Sequence, residues 1–278
     1  MPELPDLVYI EKRLSAVLPG KKIVAAEVTE PIVLRILISN SFIETVSGGT
    51  FQSVHRHGPF LVFKFDHDYE LVIHPMLAGR FQLTTSEKPG PAPCFKLMLD
   101  YGAKFFYLDD KKMGKAYLIA KGNYQPIPRF LDQGIDITSP EFTLDNFLEV
   151  IKRHRTQVRV FLMNQTVLST IGNAYADEIL FDARIHPKTF CQQLQPAQIA
   201  QLYQSIINVI NWGIAEVEKA QQPIEVKVRG HVKVRNRKDQ PCPRCGATIR
   251  RAGVLGFDAF FCPNCQPPTR TQFIDWNR

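Results

Sequence analysis

Residues 242–265 read Cys-Pro-Arg-Cys-Gly-Ala-Thr-Ile-Arg-Arg-Ala-Gly-Val-Leu-Gly-Phe-Asp-Ala-Phe-Phe-Cys-Pro-Asn-Cys, two C-x-x-C knuckles separated by sixteen residues. Two thiolates two residues apart can grip one tetrahedral cation, and a β-hairpin between the knuckles would close the site. Cys242, Cys245, Cys262 and Cys265 are therefore expected to hold a zinc ion. Four sulfur ligands leave no open coordination position, so the metal is expected to be structural and not catalytic. Unligated thiols or a redox pair are the alternatives. A module this small buries little core, so metal binding should supply much of its folding energy.

Outward from the finger, the chain turns basic. From Pro223 to Arg278 there are eleven Lys and Arg against four Asp and Glu, an excess of seven that equals the net charge of the whole 278-residue chain. A basic segment of this kind favours a polyanionic partner, with phosphate contacts concentrated in the C-terminal fifth. The hydrophobic content of 45% allows a sizeable core and two domains. No run of 18 apolar residues offers a membrane span. The start, Met-Pro-Glu-Leu-Pro, lacks the basic and apolar regions of a secretory signal. Four of the six cysteines stand at metal-ligand spacing, which argues against a disulfide framework and for a reducing, intracellular setting, and a cytoplasmic location is expected. Cys94 and Cys191 read as buried apolar residues.

Patterning divides the rest. Leu7, Ile10, Leu14 and Val17 recur at helical spacing, with Gly20 as a stop. From about Lys22 to Ala120 the chain holds short β-rich runs, among them Phe60–Phe65, Glu70–Ile73, Phe95–Leu99 and Lys104–Leu108, broken by Gly, Pro and Asp. That pattern predicts antiparallel strands in a sandwich or barrel. A Pro-, Gly- and Asp-rich stretch from Gly122 to Pro140 marks a boundary. Helices are expected over Leu144–His154, Thr156–Met163, Asn173–Ala183 and Gln198–Ala220, then a basic strand-like run from Lys227 to Lys238. The expected class is α+β: an N-terminal β-sandwich over 1–130, a helical domain over 131–224 and a zinc finger over 225–278.

The amino terminus carries chemistry of its own. Pro2 follows Met1, and a small second residue normally permits removal of the initiator methionine. The freed secondary amine would titrate near the α-amino range, roughly 8. It could attack the anomeric carbon of a deoxyribose to give an iminium, as a Schiff-base lysine does. The iminium acidifies the adjacent sugar carbon, so elimination of the 3′ phosphate can follow. Glu3 could protonate the ring oxygen or shuttle protons. The structural alternative is a proline at a helix start.

Pro2-Glu3-Leu4-Pro5, the segment Ile171-Gly172-Asn173-Ala174-Tyr175-Ala176-Asp177-Glu178-Ile179-Leu180-Phe181, and the finger ending Phe260-Phe261-Cys262-Pro263-Asn264-Cys265-Gln266 occur in this order. Together they resemble the formamidopyrimidine-DNA glycosylase/endonuclease VIII family over nearly the whole chain. The resemblance implies an N-terminal β-sandwich, a helix–two-turn–helix domain and a zinc finger, with DNA in a cleft between domains. It implies a monomeric base-excision glycosylase with AP lyase activity, acting on double-stranded DNA with damaged bases or abasic sites. Pro2 takes the role of nucleophile and Glu3 of its acid/base partner. Asn173, at a helix start suited to a phosphate, and His74 take phosphate-contacting roles.

Several positions depart from the family pattern. The residues that fill the gap left by an extruded base fall on Leu77, Lys111 and Met113. Leu and Met can still wedge between bases, and Lys112 can replace an Arg at a phosphate. The family's β-hairpin lysine falls on Pro59, and its finger-tip arginine falls in Gly256-Phe257-Asp258-Ala259. Arg250, Arg251, His55 and His57 are the nearby candidates to compensate. These losses motivate an alternative, a catalytically impaired or lyase-only paralogue that binds damaged or abasic DNA. A zinc-ribbon interaction protein is a third reading, against which the wedge and phosphate positions stand.

Overall fold

The computed structural model describes residues 2–86 and 90–268, which fall into two compact units. The first comprises residues up to Asp132 together with Ile214–Val228. Its elements are α1 (Leu4–Val17), β1 (Ile23–Val28), β2 (Leu34–Ile36), α2 (Phe42–Val46), β3 (Phe51–His57), β4 (Phe60–Phe65), β5 (Tyr69–His74), β6 (Arg80–Thr84), β7 (Pro93–Leu99), β8 (Lys104–Leu108) and β9 (Lys115–Ala120). Two sheets form, one in the order β1-β7-β8-β6 and one in the order β2-β9-β5-β4-β3. All pairings are antiparallel except β2 with β9. The unit is a β-sandwich, as the alternation of short strands and turns predicts.

Phe63 and Phe65 from β4, Phe81 from β6, Phe95 from β7 and Phe105 from β8 share one core, closed by Ile10 and Leu14 of α1. Leu7, Ile10 and Leu14 are buried as their spacing predicts, but Val17 is exposed and Leu18 completes the stripe. On β4 the other face is covered as well: Phe60 and Val62 join Val72, Ile127 and Phe130 in a second cluster. A strand buried on both faces reads as a continuous apolar run, which is why Phe60–Phe65 was legible. The segment 124–130 that covers it has no regular structure and a Pro-rich sequence. Cys94 is buried, and burial pushes its thiol up to about 11.

The second unit, residues 133–213 and from 229 onward, is helical with a terminal hairpin. It contains β10 (Ile135–Asp136), α3 (Leu144–Lys152), α4 (Val158–Leu162), β11 (Leu168–Ser169), α5 (Asn173–Asp182), α6 (Pro196–Ala220), β12 (Arg250–Val254) and β13 (Phe257–Phe261). The end of α6, from Ile214, is counted with the first unit. Thr143 caps α3 by accepting the Asn146 N–H at 3.2 Å. Burial raises the Cys191 thiol to about 11, so both cysteines outside the finger are inert core residues.

One expectation fails. Lys227–Lys238 is not a strand but a chain of turns. Its alternating valines suggest a pleat, yet among the described residues no strand pairs with it. Instead the buried Glu178 carboxylate accepts the backbone N–H groups of Lys233, Val234 and Arg235 at 2.9–3.0 Å. A side chain inside α5 thus replaces the sheet ladder as acceptor.

Candidate active site and metal centre

Pro2 stands directly before α1, and the residues from Pro2 to Leu7 are buried. Glu3 is the N-cap, and its backbone N–H donates to Asp6 Oδ2 at 2.8 Å, which fixes how the chain enters the helix. Pro2 lines an indentation shared with Asp6, Tyr9, Arg80, Glu225 and Lys227. The Tyr9 hydroxyl donates to the Gln222 carbonyl at 2.9 Å, and Gln82 Nε2 donates to Glu225 Oε1 at 3.1 Å. These bonds hold residues 221–228 beside α1 and β6.

His74 ends β5. Its Nδ1 accepts the Met76 N–H at 3.0 Å and its ring packs edge-on against Phe60 at 4.8 Å. An accepting Nδ1 places the proton of the neutral ring on Nε2. Burial pushes the pKa down to about 4, so the neutral form prevails near pH 7.

Two turns carry the expected wedge residues, and one side chain ties them together. In the turn 75–79 the Gly79 N–H donates to the Pro75 carbonyl at 2.8 Å, and Leu77 is 57% exposed. In the turn 109–114 the fully buried Asp109 accepts the N–H of Lys111 at 3.0 Å and of Gly114 at 2.6 Å. Met113 is 40% exposed at this turn. A Cβ on either Gly79 or Gly114 would overlap the Tyr107 hydroxyl. Tyr107, buried on β8, is therefore pinched between the two turns that carry Leu77, Lys111 and Met113. The Lys112 ammonium pairs with Glu30 at 2.6 Å.

The β3–β4 hairpin turns through Gly58 and Pro59. Gly58 has φ 52, and a proline ring holds φ near about −65°. Those signs match a II′ turn, in which a proline stiffens the second position. Beside it, His57 Nε2 lies 2.7 Å from the Phe130 carbonyl and its ring stacks on Phe130 at 4.3 Å. His57 is thereby engaged in packing.

In the second unit Asn173 opens α5 after the extended Gly172. Its Oδ1 accepts from Arg159 Nη2 at 2.8 Å, which leaves Nδ2 as the donor end of the amide. Arg159 is almost fully buried and also donates to Asp177 Oδ1 at 2.8 Å and to the Asp258 carbonyl at 2.9 Å. Arg235 donates to Asp177 Oδ2 at 2.8 Å and to the same Asp258 carbonyl at 2.7 Å. The Phe260 N–H adds a bond to Asp177 at 3.2 Å. Burial raises the Asp177 carboxyl while the two guanidiniums oppose that rise. The network locks the finger hairpin to α5 and orients Asn173.

At the hairpin tip Leu255 has φ 44 and Gly256 has φ 81, the paired positive values of a I′ turn. Leucine is strained there, and both Leu255 and Phe257 are exposed. The Asp258 carboxylate lies 3.3 Å from Arg251, so the charge at the tip is partly neutralised within the hairpin.

The four finger thiols converge. Their sulfur atoms lie within 4.8 Å of one another, with Cys242–Cys265 at 3.9 Å and Cys245–Cys262 at 3.5 Å. A tetrahedral zinc with Zn–S bonds of about 2.3 Å needs sulfurs ~3.8 Å apart. The Arg244 and Cys265 N–H groups each point at a knuckle sulfur at 3.4 Å, an arrangement that favours thiolates. These residues fit the ion. Gln266, fully buried, supports the second knuckle by accepting the Cys262 N–H at 3.0 Å and donating to the Ile185 carbonyl at 2.8 Å.

Sequence reading missed Tyr107, Asp109, Arg159, Asp177, Glu178, Arg235 and Lys227. One signal was present: the acids at 177 and 178 interrupt an otherwise apolar helix, and an acid buried on such a helix needs partners.

The model of the formamidopyrimidine-DNA glycosylase N-terminal domain matches residues 1–116, and that of the formamidopyrimidine-DNA glycosylase H2TH domain matches 133–223. A zinc finger found in FPG and IleRS matches 239–268, and Cys242, Cys245, Cys262 and Cys265 are its structural zinc site. Formamidopyrimidine-DNA glycosylase of Cytobacillus firmus is 30% identical, covering 96% of this chain and 100% of the relative. That of Pelotomaculum thermopropionicum is 29% identical, over 96% and 99%. Among solved structures, Lactococcus lactis Fpg in complex with DNA containing an abasic site superposes with a TM-score of 0.86 at 28% identity, covering 96% of this chain and 100% of that one. MutM (Fpg) of Thermus thermophilus superposes with a TM-score of 0.83 at 27% identity, over 95% and 98%. From sheet order to zinc knuckles, this chain belongs to the formamidopyrimidine-DNA glycosylase family.

Proposed function

We propose that the chain is a DNA glycosylase of base-excision repair with AP lyase activity, acting on duplex DNA through the Pro2 amine once Met1 is removed. The placement of Pro2 carries this reading: it sits at the positive end of α1, bordering an indentation lined by ionisable groups. A helix N-terminus disfavours an ammonium ion, so a larger share of the amine is neutral and nucleophilic. The amine attacks C1′, the bond from C1′ to the base breaks and the base leaves with the amine's proton; the C1′–O4′ bond then opens as the ring oxygen takes a proton, which leaves an iminium at C1′. The iminium then loses a C2′ proton, the C3′–O bond breaks to release the 3′ phosphate, and water regenerates the amine. Glu3, also buried at this end of α1, is proposed to protonate the ring oxygen and take up the proton.

Six residues extend the reading to DNA. His74 donates from Nε2 and Asn173 from Nδ2 to phosphates, and Lys112 exchanges Glu30 for a phosphate. Leu77 and Met113 fill the gap left by the extruded nucleotide, with Lys111 beside them.

A lyase-only enzyme is the second reading, favoured by the rigid, uncharged Gly58-Pro59 turn and by the apolar finger tip at Leu255 and Phe257. Two duplexes separate the readings, one bearing an oxidised base and one a preformed abasic site. Base release from the first together with nicking of both is expected. Nicking of the abasic duplex alone would establish the lyase-only enzyme. Salt-sensitive binding without nicking or borohydride adduct on either duplex would overturn both.

A further inference from the structure

The pattern of ionisable groups around Pro2 assigns a role to Lys227. The hairpin position from which a family lysine would reach the site is Pro59, which offers no charge. A cation is nevertheless present beside the nucleophile, brought by another part of the chain. Lys227 lies seven residues after the end of α6, and its Nζ donates to the Leu77 carbonyl at 3.3 Å. Lys227 lines the same indentation as Pro2, and the bond ties its ammonium to the backbone of the turn that carries the exposed Leu77.

The groups facing Pro2 come from three segments. Glu3, Asp6 and Tyr9 belong to α1 and its cap, Arg80 to β6, and Glu225 and Lys227 to the segment after α6. Their positions make some of them poor regulators of the amine. Asp6 accepts the backbone N–H of Glu3, Glu225 is bonded to Gln82, and Arg80 lies 3.7 Å from Asp110. Lys227 is bonded to a neutral carbonyl, so its charge is not cancelled by the partner it touches.

We propose that Lys227 is the positioning cation of the Pro2 site, taking over from the absent hairpin lysine. Its ammonium disfavours a second positive charge on the Pro2 amine and keeps that amine unprotonated at neutral pH. The inference rests on the proposed nucleophilic role of Pro2 and adds the source of the charge that tunes it. Its position also explains why the Gly58-Pro59 turn is tolerated, since the cation arrives through the segment after α6.

Borohydride trapping on abasic duplex DNA tests this, with full-length, zinc-loaded protein from which Met1 has been removed. The rate is measured against pH for the wild type, Lys227→Gln and Lys227→Arg, with duplex affinity measured in parallel. Replacing the charge by glutamine is expected to move the rising limb of the profile to higher pH by about 0.5, the effect of one unit charge several ångströms away in a wet site. Arginine is expected to restore it. A general loss of folding or of affinity would lower the rate without moving the limb. A wild type that traps, with a Lys227→Gln limb that coincides with it, overturns the role of Lys227 alone. No adduct with any of the three proteins overturns the nucleophilic role of Pro2 and this inference with it.

Discussion

His74 is held neutral by its surroundings, and that has a thermodynamic consequence. Its folded-state pKa of about 4 lies below the ordinary imidazole value, as does that of His186, also about 4. Near pH 7 both folded and unfolded chains are mostly neutral here and stability is insensitive to pH. As pH falls through about 6.5 the unfolded chain takes up protons that the folded one refuses, so stability declines until about pH 4. For His74 alone the loss reaches about 2 kcal/mol at pH 5. Urea unfolding at pH 7 and pH 5 should show His74→Gln losing less stability than the wild type over that interval. Equal losses would contradict the account. At this scale the sequence showed the four cysteines, because they sit in short contiguous motifs, and such motifs are also what mark Pro2, Glu3 and Asn173 as candidates. It concealed Tyr107 and Asp109, whose work is done by contacts with two separate turns.

The element that organises the second unit is α5. Asp177 and Glu178, adjacent on that helix, hold the finger hairpin and the 233–235 segment respectively. Asp177 serves two guanidiniums and a backbone N–H, so removing its charge strands Arg159, which is almost fully buried. Asp177→Asn is expected to destabilise the protein by about 3–5 kcal/mol. Arg251→Ala, at an exposed pair, should cost under about 1 kcal/mol. Thermal or urea unfolding checks both, and an Asp177→Asn variant within about 1 kcal/mol of the wild type would contradict the network's role. The same helix explains the misread strand. Hydrophobic alternation over Lys227–Lys238 has a period of two, but a period predicts a face and not a pairing partner. The partner turned out to be a carboxylate from 55 residues earlier, which no local pattern announces.

Over the whole molecule, the α+β class, the β-sandwich, the helical region and the finger were readable because each has its own periodicity and punctuation. The grouping of Ile214–Val228 with the sandwich was not, since that segment continues a helix whose first turns belong to the other unit. It also brings Lys227 to the indentation that Pro2 lines, a placement hidden behind a connection that the sequence reads as one uninterrupted helix and loop. The central claim is that Pro2 forms the covalent bond to DNA. Mass mapping of the borohydride-trapped adduct on abasic duplex DNA tests it most directly, with Met1 removed. Tryptic digestion after Lys12 should place the sugar remnant on the peptide Pro2–Lys12, and an N-terminally extended protein should give no adduct. A remnant on the Lys227 peptide, or an adduct that survives the extension, would contradict the account.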